Sequence, residues 1–308
     1  MMVNRAPGNA LDEDQKLPSK KESLVGQVSP SPAPMREFGF TPAMTHPLYV
    51  FRNDQELKAH PLYAEAKKGN TVAAVHLVQD LGVPLLNDVL QLFVQGVFPN
   101  DCIFVAPHAR EATGDNAIPQ TLATLLSIAG GQLDAEIVQT SKVYHTGADP
   151  MERLNLRPSF HGKILRGGHY VLVDDVTTLG GTLCDLADFI QRGGGIPIAA
   201  AVLVNASRSG RLYPAQRTVA SLEARYGNEI REIFNIVPRA LTADEAQYLI
   251  GFRTAEEIRG RSAQAKQKTD LRLRSKGVFV TEGVAEKRVI RHRMRFRSGF
   301  HWIGKKRS

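Results

Sequence analysis

Two adjacent carboxylates, Asp174 and Asp175, stand between an apolar run and a small, hydroxylated turn. The run from Tyr170 to Val173 has the composition of a strand that is buried on both faces of a parallel sheet. The turn from Thr177 to Thr182 contains two glycines and three threonines. Apolar residues then recur at helical spacing up to a run of glycines that starts at Gly193, so a helix is predicted to begin near the end of the turn.

A turn of this composition is suited to bind a phosphate group. Glycines let the backbone approach a ligand closely, and the N–H groups at a helix N-terminus, joined by threonine hydroxyls, form a socket for an anion. Carboxylates at the end of the strand can accept hydrogen bonds from a diol or meet a metal ion that the ligand carries. The stretch therefore predicts a ligand that combines phosphate, ribose and magnesium.

The stretch YVLVDDVTTLGGTL resembles the phosphoribosyl pyrophosphate (PRPP) motif of type I phosphoribosyltransferases. The resemblance implies that the acidic pair, Asp174 and Asp175, contacts the ribose hydroxyls as the catalytic residues. It also implies a 5′-phosphate loop formed by Thr178, Leu179, Gly180, Gly181 and Thr182. Leu179 departs from the pattern, because the family usually has threonine or serine there, which removes a hydroxyl contact but no backbone donor.

The reaction implied by the resemblance is transfer of phosphoribose from PRPP, with Mg²⁺, to a nitrogenous acceptor, with release of pyrophosphate. The acceptor is an unidentified base or amine, because the chain shows no purine, orotate or uracil signature. The alternatives are a PRPP-binding regulator that does not catalyse and uses its C-terminal extension on nucleic acid, or an interaction module on the same scaffold. No catalytic base is identified, although Asp175 is one candidate acceptor of a proton.

The loop after the first core strand is the pyrophosphate loop in that family, and Pro107 to Glu111 falls in that place. His108 and Arg110 are therefore candidate ligands of pyrophosphate. The alternative is a solvated surface loop.

The long polar segment from Thr140 to Gly168 is in the position of the flexible catalytic loop of that family, and a loop of this length is often a functional lid. Its stretch NLRPSF resembles one that precedes the PRPP motif in the competence-associated ComF branch. The candidate ligands for phosphates or the leaving group are Lys142, His145, Arg153 and Arg157. Each of them could instead be merely an exposed side chain.

Strands and helices alternate along the middle of the chain. Strands are predicted at Asp101 to Ala106, Ala135 to Gln139, Tyr170 to Val173 and Ile196 to Asn205, and such alternation indicates an α/β fold with a parallel sheet flanked by helices. The other predicted elements are a short strand at Leu48 to Phe51, helices at Pro61 to Lys68, Asn70 to Leu81, Leu85 to Val94, Pro119 to Gly130 and Ala215 to Tyr226, and an edge strand at Ile230 to Val237.

Three regions are expected. Residues 1–45 have the composition of a disordered leader, which Phe38, Phe40 and Met44 could pin in part to the fold. Residues 46–240 would form the phosphoribosyltransferase-like domain. Residues 241–308 would be a basic helical extension, because capping boxes at Thr242 and Thr254 each predict a helix start.

Charge and cysteine content bear on partners and compartment. The net charge is +8, and residues 251–308 hold 17 Lys and Arg against 5 Asp and Glu, with aromatic residues among them. Such a segment suits nucleic acid, although a solvated basic helix is the alternative.

Two distant cysteines favour a reduced, cytoplasmic setting, and no apolar run approaches the ~20 residues that span a bilayer. A homodimer without a membrane partner is expected.

Overall fold

The chain is described by a computed structural model, which covers residues 33–106, 109–111, 114–141, 145 and 147–275. The strands in this part of the chain are β1 (Leu48–Phe51), β2 (Ile103–Val105), β3 (Ala109–Glu111), β4 (Gly114–Asn116), β5 (Gln132–Asp134), β6 (Val138–Gln139), β7 (Phe160–His161), β8 (His169–Thr177) and β9 (Ile196–Asn205). The helices are α1 (Gln55–Ala59), α2 (Tyr63–Lys67), α3 (Thr71–Val94), α4 (Ile118–Ser127), α5 (Pro150–Asn155), α6 (Gly181–Arg192), α7 (Gln216–Phe234), α8 (Ala243–Leu249) and α9 (Ala255–Arg274), with 3-10 turns at Pro42–Met44 and Pro238–Ala240.

The central sheet has the strand order β1, β9, β8, β2, β5, and every neighbouring pair in it is parallel. Strand β8 lies in the middle and pairs along most of its length with β9. Helices cover both faces, so the prediction of an α/β fold with a parallel sheet flanked by helices is confirmed at that level.

Side chains alternate between the two faces of β8. Val171 and Val173 pack on the side of α2, α3 and α4, whereas Tyr170 and Leu172 pack on the side of α6. All four are almost completely buried, as the apolar run predicts. Strand β8 extends beyond the predicted Tyr170 to Val173 as far as Thr177, so Asp174 and Asp175 lie within the strand, close to its carboxyl end.

A third apolar cluster lies beside the sheet and joins α5, α7, α8 and α9. Its buried residues include Leu222 and Ile230 of α7, Leu249 of α8 and Ile258 of α9. The capping box at Thr242 is present in full. At Thr254 the side chain caps α9, but the carboxylate of Glu257 accepts from the N–H of Arg253 instead of from Thr254.

The described part of the predicted leader is packed on the domain. Phe40 and Met44 belong to the core cluster next to α6, which confirms their pinning role, while Phe38 stays 42% exposed. Arg36 is completely buried, and the backbone N–H groups of Glu37 and Phe38 donate to Asp188 of α6. The packed chain thus begins before residue 46, and residues 1–32 lie outside the described part.

The two helices predicted at Asn70 to Leu81 and Leu85 to Val94 are one helix, α3. Gly82 does not end a helix, because α3 continues through it and through Pro84. A Cβ at Gly82 would lie 3.0 Å from the side chain of Leu125, so glycine at this position lets α3 and α4 approach closely. Helix α3 is also long and apolar enough, by length and composition, to span a bilayer, contrary to expectation. Its inner face, including Leu77 and Leu85, packs into the core.

Two strand predictions were also wrong. Ile230 to Val237 is not an edge strand, because α7 runs to Phe234 with buried residues at helical spacing and a kink at Tyr226. The strand predicted at Ala135 to Gln139 is displaced. The sheet strand is β5, a largely exposed edge strand without an apolar run, and Val138–Gln139 pairs instead with β7.

The two predicted ligand loops contain regular structure. Strands β3 and β4 form an antiparallel hairpin within the polar segment from Pro107 to Ile118. Helix α5 lies within Thr140 to Gly168, starts with a capping box between Asp149 and Glu152, and packs against α9. The predicted lid is therefore tied in part to the C-terminal helices.

Four buried charged side chains, which we call the buried charge cluster, join the N-terminal segment to α6 and α8: Arg36, Arg157, Asp185 and Glu245. Arg36 contacts Asp185 at 2.7 Å and Glu245 at 2.6 Å, and Arg157 contacts Asp185 at 2.6 Å. Burial alone would raise the pKa of Asp185, but the charges of Arg36 and Arg157 hold it below its ordinary value. The cluster balances two cations against two anions.

We predict that Arg36→Met lowers the free energy of unfolding by about 3–5 kcal/mol, because it leaves two buried carboxylates with one cation between them. The matched control is Arg231→Met, which breaks a partly exposed pair with Glu223 and is expected to cost about 0–1 kcal/mol. Urea unfolding of both variants measures the difference. Equal losses would contradict the role of Arg36.

Candidate anion-binding site

A pocket of about 230 Å³ lies at the carboxyl edge of the sheet, where β8 ends. The acidic pair and the whole turn from Val176 to Leu183 line one side of it. Residues of α1, α2 and the segment before α5 line the other walls, among them Tyr63, Lys67 and His145. The structure thus brings together the acidic pair and the predicted phosphate loop. They meet beyond the carboxyl ends of the strands, where open parallel sheets usually bind their ligands.

All five residues of the loop from Thr178 to Thr182 line this pocket. Gly180 has φ of +78°, a left-handed conformation that favours glycine, and it caps α6. Within the described residues, no N–H group of Thr178 to Thr182 has a hydrogen-bond acceptor. These donors lie at the positive end of a helix, which is an arrangement suited to an anion.

Two buried side-chain oxygens of the pocket wall have no hydrogen-bond partner in the part of the chain that the structure describes. They are Oγ1 of Thr177, whose residue is 3% exposed, and Oε1 of Gln139. A buried polar atom without a partner costs free energy unless a ligand or water satisfies it. Both atoms are enclosed by protein in the described structure, so they do not by themselves identify an occupant of the pocket.

The two carboxylates have different surroundings. Asp175 accepts hydrogen bonds from Nζ of Lys67 at 2.9 Å and from Nδ2 of Asn116 at 3.1 Å. Burial alone would raise its pKa, but the charge of Lys67 and these hydrogen bonds outweigh burial and hold the pKa of Asp175 below its ordinary value. Burial, and next the charge of Asp175, raise the pKa of Asp174 well above its ordinary value. The pair therefore favours one negative charge, on Asp175.

Two residues outside the motif donate hydrogen bonds to backbone carbonyls of the loop. The hydroxyl of Thr242, the N-cap of α8, donates to the carbonyl of Leu179 at 2.5 Å, and Nη2 of Arg36 donates to the carbonyl of Gly181 at 3.4 Å. A Cβ on Gly181 would lie 2.8 Å from Oε1 of Glu245, so this side chain explains the need for glycine. Sequence reasoning missed these supports.

The candidates of the predicted lid are divided between the pocket and the core. His145 and Arg153 both line the pocket. Nε2 of His145 donates to the carbonyl of Leu156 at 2.7 Å, and Arg153 donates to the carbonyls of His145 and Ala148. Burial, with the charge of Arg153, lowers the pKa of His145 to about 4. His145 is therefore a neutral ring at pH 7 and offers hydrogen bonding instead of a positive charge.

Arg157 is placed in the core. It is 7% exposed, pairs with Asp185 and donates to the carbonyls of Phe234, Asn235 and Pro34. Its role in this structure is to hold α6, α7 and the N-terminal segment together, and it does not line the pocket.

The remaining candidates fall outside the described residues or side chains. His108 and Lys142 are not described, and Arg110 is described only as backbone in β3, opposite Asp115. Their roles as pyrophosphate ligands stay predictions.

The described residues contain no group of three or more His, Cys, Asp or Glu side chains that could hold a metal ion. The pocket offers the two carboxylates of the acidic pair, one of which is held by Lys67 and Asn116. Magnesium keeps several non-protein oxygen ligands and is often held by one or two carboxylates together with phosphates. The donor set thus fits an ion that arrives with a phosphorylated ligand.

The chain is similar to curated proteins from two bacteria. It is 32% identical over 225 residues to protein TraN of Escherichia coli, covering 70% of this chain and 49% of TraN. It is 38% identical over 133 residues to an uncharacterized protein of Haemophilus influenzae, covering 43% of this chain and 29% of that protein. The chain therefore spans about half or less of these relatives. No protein-family model matches it.

We predict that His145 makes stability depend on pH. Its pKa is about 4 in the folded protein and ordinarily 6.5, so the unfolded chain binds more protons between these values. Stability attributable to His145 is full above pH 6.5 and is lost as the pH falls towards 4. His145→Gln should lose less stability than the wild type between pH 7 and pH 5 in urea unfolding. The control is His161→Gln, at an exposed histidine of β7, and identical behaviour of the two variants would contradict the prediction.

Proposed function

We propose that this protein binds PRPP with Mg²⁺ and is a phosphoribosyltransferase that transfers phosphoribose to a nitrogenous acceptor. The observation that carries the proposal is the row of N–H groups from Thr178 to Thr182 that have no acceptor in the described structure, next to the acidic pair and in one pocket. An anion socket beside carboxylates suits a ligand with both a phosphate and a diol.

The 5′-phosphate of PRPP fits the loop. Its oxygens can accept from the N–H groups of Thr178 to Thr182 and from the hydroxyl of Thr182. The replacement of a threonine or serine by Leu179 removes one side-chain donor and leaves every backbone donor in place.

The ribose hydroxyls fit the acidic pair. Asp175 is ionised through its contact with Lys67 and is held in place by the N–H of Val176, at 2.9 Å from its Oδ1. Asp174 accepts from the N–H of Asp175 at 2.8 Å. The two carboxyl groups are thus oriented before a ligand arrives, which lowers the entropic cost of binding.

Magnesium would meet Asp174 or Asp175 together with oxygens of PRPP, and it would neutralise charge that develops on the leaving pyrophosphate. The wall that contains His145, Arg153 and Gln139 faces the same pocket and would take the pyrophosphate side. Arg153 supplies a permanent positive charge there, whereas the neutral His145 does not.

The chemistry required of the side chains is limited. An acceptor nitrogen displaces pyrophosphate at the anomeric carbon: the bond to the leaving oxygen breaks as the bond to nitrogen forms. The protein holds the phosphate at the loop and the ribose at the acidic pair, so that the carbon faces the acceptor, and it excludes water. The acceptor would enter from the wall of α1 and α2, where Asp54, Lys58 and Tyr63 line the pocket.

The topology supports a type I phosphoribosyltransferase fold. Four parallel strands in the order β5, β2, β8, β9 place the motif strand next to the first core strand, with the phosphate loop at its carboxyl end. The finer fold, like the reaction, is part of the proposal. A cytoplasmic homodimer remains the expectation from sequence.

The described part of the C-terminal extension, which ends at residue 275, gives less support to the alternative of a nucleic-acid-binding regulator. Lys268 pairs with Asp149, Arg272 with Glu152, and Arg274 with Asp270. Arg259 also lies near carboxylates of α7. Much of the charge of the described extension is therefore balanced within the fold.

We predict that Gly180→Val abolishes Mg²⁺-dependent binding of PRPP in calorimetry, because a β-branched residue is strained at positive φ and deforms the loop. The matched control is Gly167→Val, at a glycine with φ of +74° in a turn before β8 that has open space around its Cβ position. It introduces similar strain outside the pocket and should bind as the wild type does. Unchanged binding by the Gly180 variant would contradict the proposed site.

We predict that the wild type releases pyrophosphate from PRPP with one acceptor from a panel of bases and small amines. Asp174→Asn combined with Asp175→Asn should remove both binding and release, because the ribose loses both carboxyl partners and the negative charge of Asp175. PRPP binding without release across the panel would favour the regulator, and absence of PRPP binding would overturn the proposal.

A further inference from the structure

We infer that Thr242, the N-cap residue of α8, is a positioning residue for the phosphate loop, because its hydroxyl turns one peptide unit of the loop so that the N–H faces the ligand. The inference rests on the proposed function. It places a determinant of phosphate binding on a helix about 60 residues beyond the motif, which the sequence reading assigned to a separate extension.

The side chain of Thr242 is buried, and it makes a directional hydrogen bond to the loop. Thr242 is 0% exposed, and its Oγ1 donates to the carbonyl of Leu179 at 2.5 Å. The same oxygen accepts from the N–H of Glu245 at 3.1 Å, which completes the cap of α8. A hydroxyl has one hydrogen to donate, and here that hydrogen is used by the loop.

The carbonyl contact has a direct consequence for the donor groups. In a trans peptide unit the C=O of one residue and the N–H of the next point in opposite directions. When Thr242 holds the carbonyl of Leu179 behind the loop, the N–H of Gly180 must point away from α8. The described structure gives that N–H no acceptor, and Gly180 lines the pocket.

A second hydrogen bond to a loop carbonyl, from Arg36, orients the next peptide unit but one in the same way. Nη2 of Arg36 donates to the carbonyl of Gly181 at 3.4 Å, which directs the N–H of Thr182 to the opposite side. Arg36 also pairs with Glu245, whose carboxylate accepts from the N–H of Thr242 at 2.9 Å. The two supports are thus joined through Glu245, but only Thr242 can be changed without removing a buried charge.

Two substitutions separate the loop contact from other effects. Thr242→Val keeps the size of the side chain and removes the hydroxyl, whereas Thr242→Ser keeps both hydrogen bonds. The control is Thr254→Val, which removes the side-chain cap of α9, a bond of 3.2 Å from the N–H of Glu257 at an exposed residue that does not line the pocket. Both variants lose a side-chain helix cap, and only Thr242→Val also loses a contact with the loop.

Binding is measured by calorimetry on the full chain with two probes, ribose 5-phosphate and magnesium pyrophosphate. Thr242→Val should bind ribose 5-phosphate about tenfold more weakly, as expected for the misdirection of one hydrogen-bond donor to a charged group. Its affinity for magnesium pyrophosphate should fall less, because that probe is assigned to the wall of His145, Arg153 and Gln139. Thr242→Ser and Thr254→Val should bind both probes as the wild type does.

The outcomes distinguish this inference from the proposed function. If the wild type binds PRPP and Thr242→Val retains wild-type affinity for ribose 5-phosphate, the positioning role is overturned and the proposed function stands. If Thr242→Val loses affinity for both probes equally, the effect is general destabilisation and the inference also fails. If the wild type binds neither PRPP nor ribose 5-phosphate, both proposals fall.

Discussion

The structure depends on the compensation of buried charge around Arg36. This side chain is completely buried, and it lies between Asp185 of α6 and Glu245 of α8. Buried ions are tolerated only when they are paired and hydrogen-bonded, so the N-terminal segment, the motif helix and the C-terminal helices must come together for any of these charges to be acceptable. Arg157 adds the second cation and ties the cluster to the segment before β7.

This constraint makes the site a composite of local and distant parts. The stretch from Asp174 to Thr182 supplies the groups that would touch a ligand. Residues distant in sequence fix the charge and orientation of these groups. Lys67 keeps the negative charge on Asp175, and Arg36 and Thr242 donate to two carbonyls of the loop. Glu245 fills the space next to Gly181. The parts outside the motif therefore control orientation, while the motif provides the donors and acceptors.

The sequence predicted those elements that depend on residues close to one another in the chain. The buried strand β8, the helix start at Gly181 and the cap at Thr242 each depend on neighbouring residues, and each was predicted. The polar edge strand β5 gave no apolar pattern, and the role of Gly82 depends on the approach of α4. Long-range partners have no signature of their own: Arg157 looks like a phosphate ligand until Asp185 is seen beside it. Lys67 likewise gives no sign in the sequence that its partner is Asp175, because it lies in an ordinary short helix.

The charge balance of the pocket indicates where attraction for an anion must originate. Five carboxyl groups line it: Asp54, which pairs with Lys58, and then Asp174, Asp175, Asp185 and Glu245. The buried arginines offset the last two, Lys67 offsets Asp175, and the raised pKa of Asp174 favours its neutral form. The walls are thus close to neutral, so an anionic ligand is neither strongly repelled nor held by a cationic cluster. Its recognition must come from oriented backbone N–H groups and the end of α6, together with Arg153 and any cation that the ligand brings, and this is why the direction of single peptide units in the loop matters.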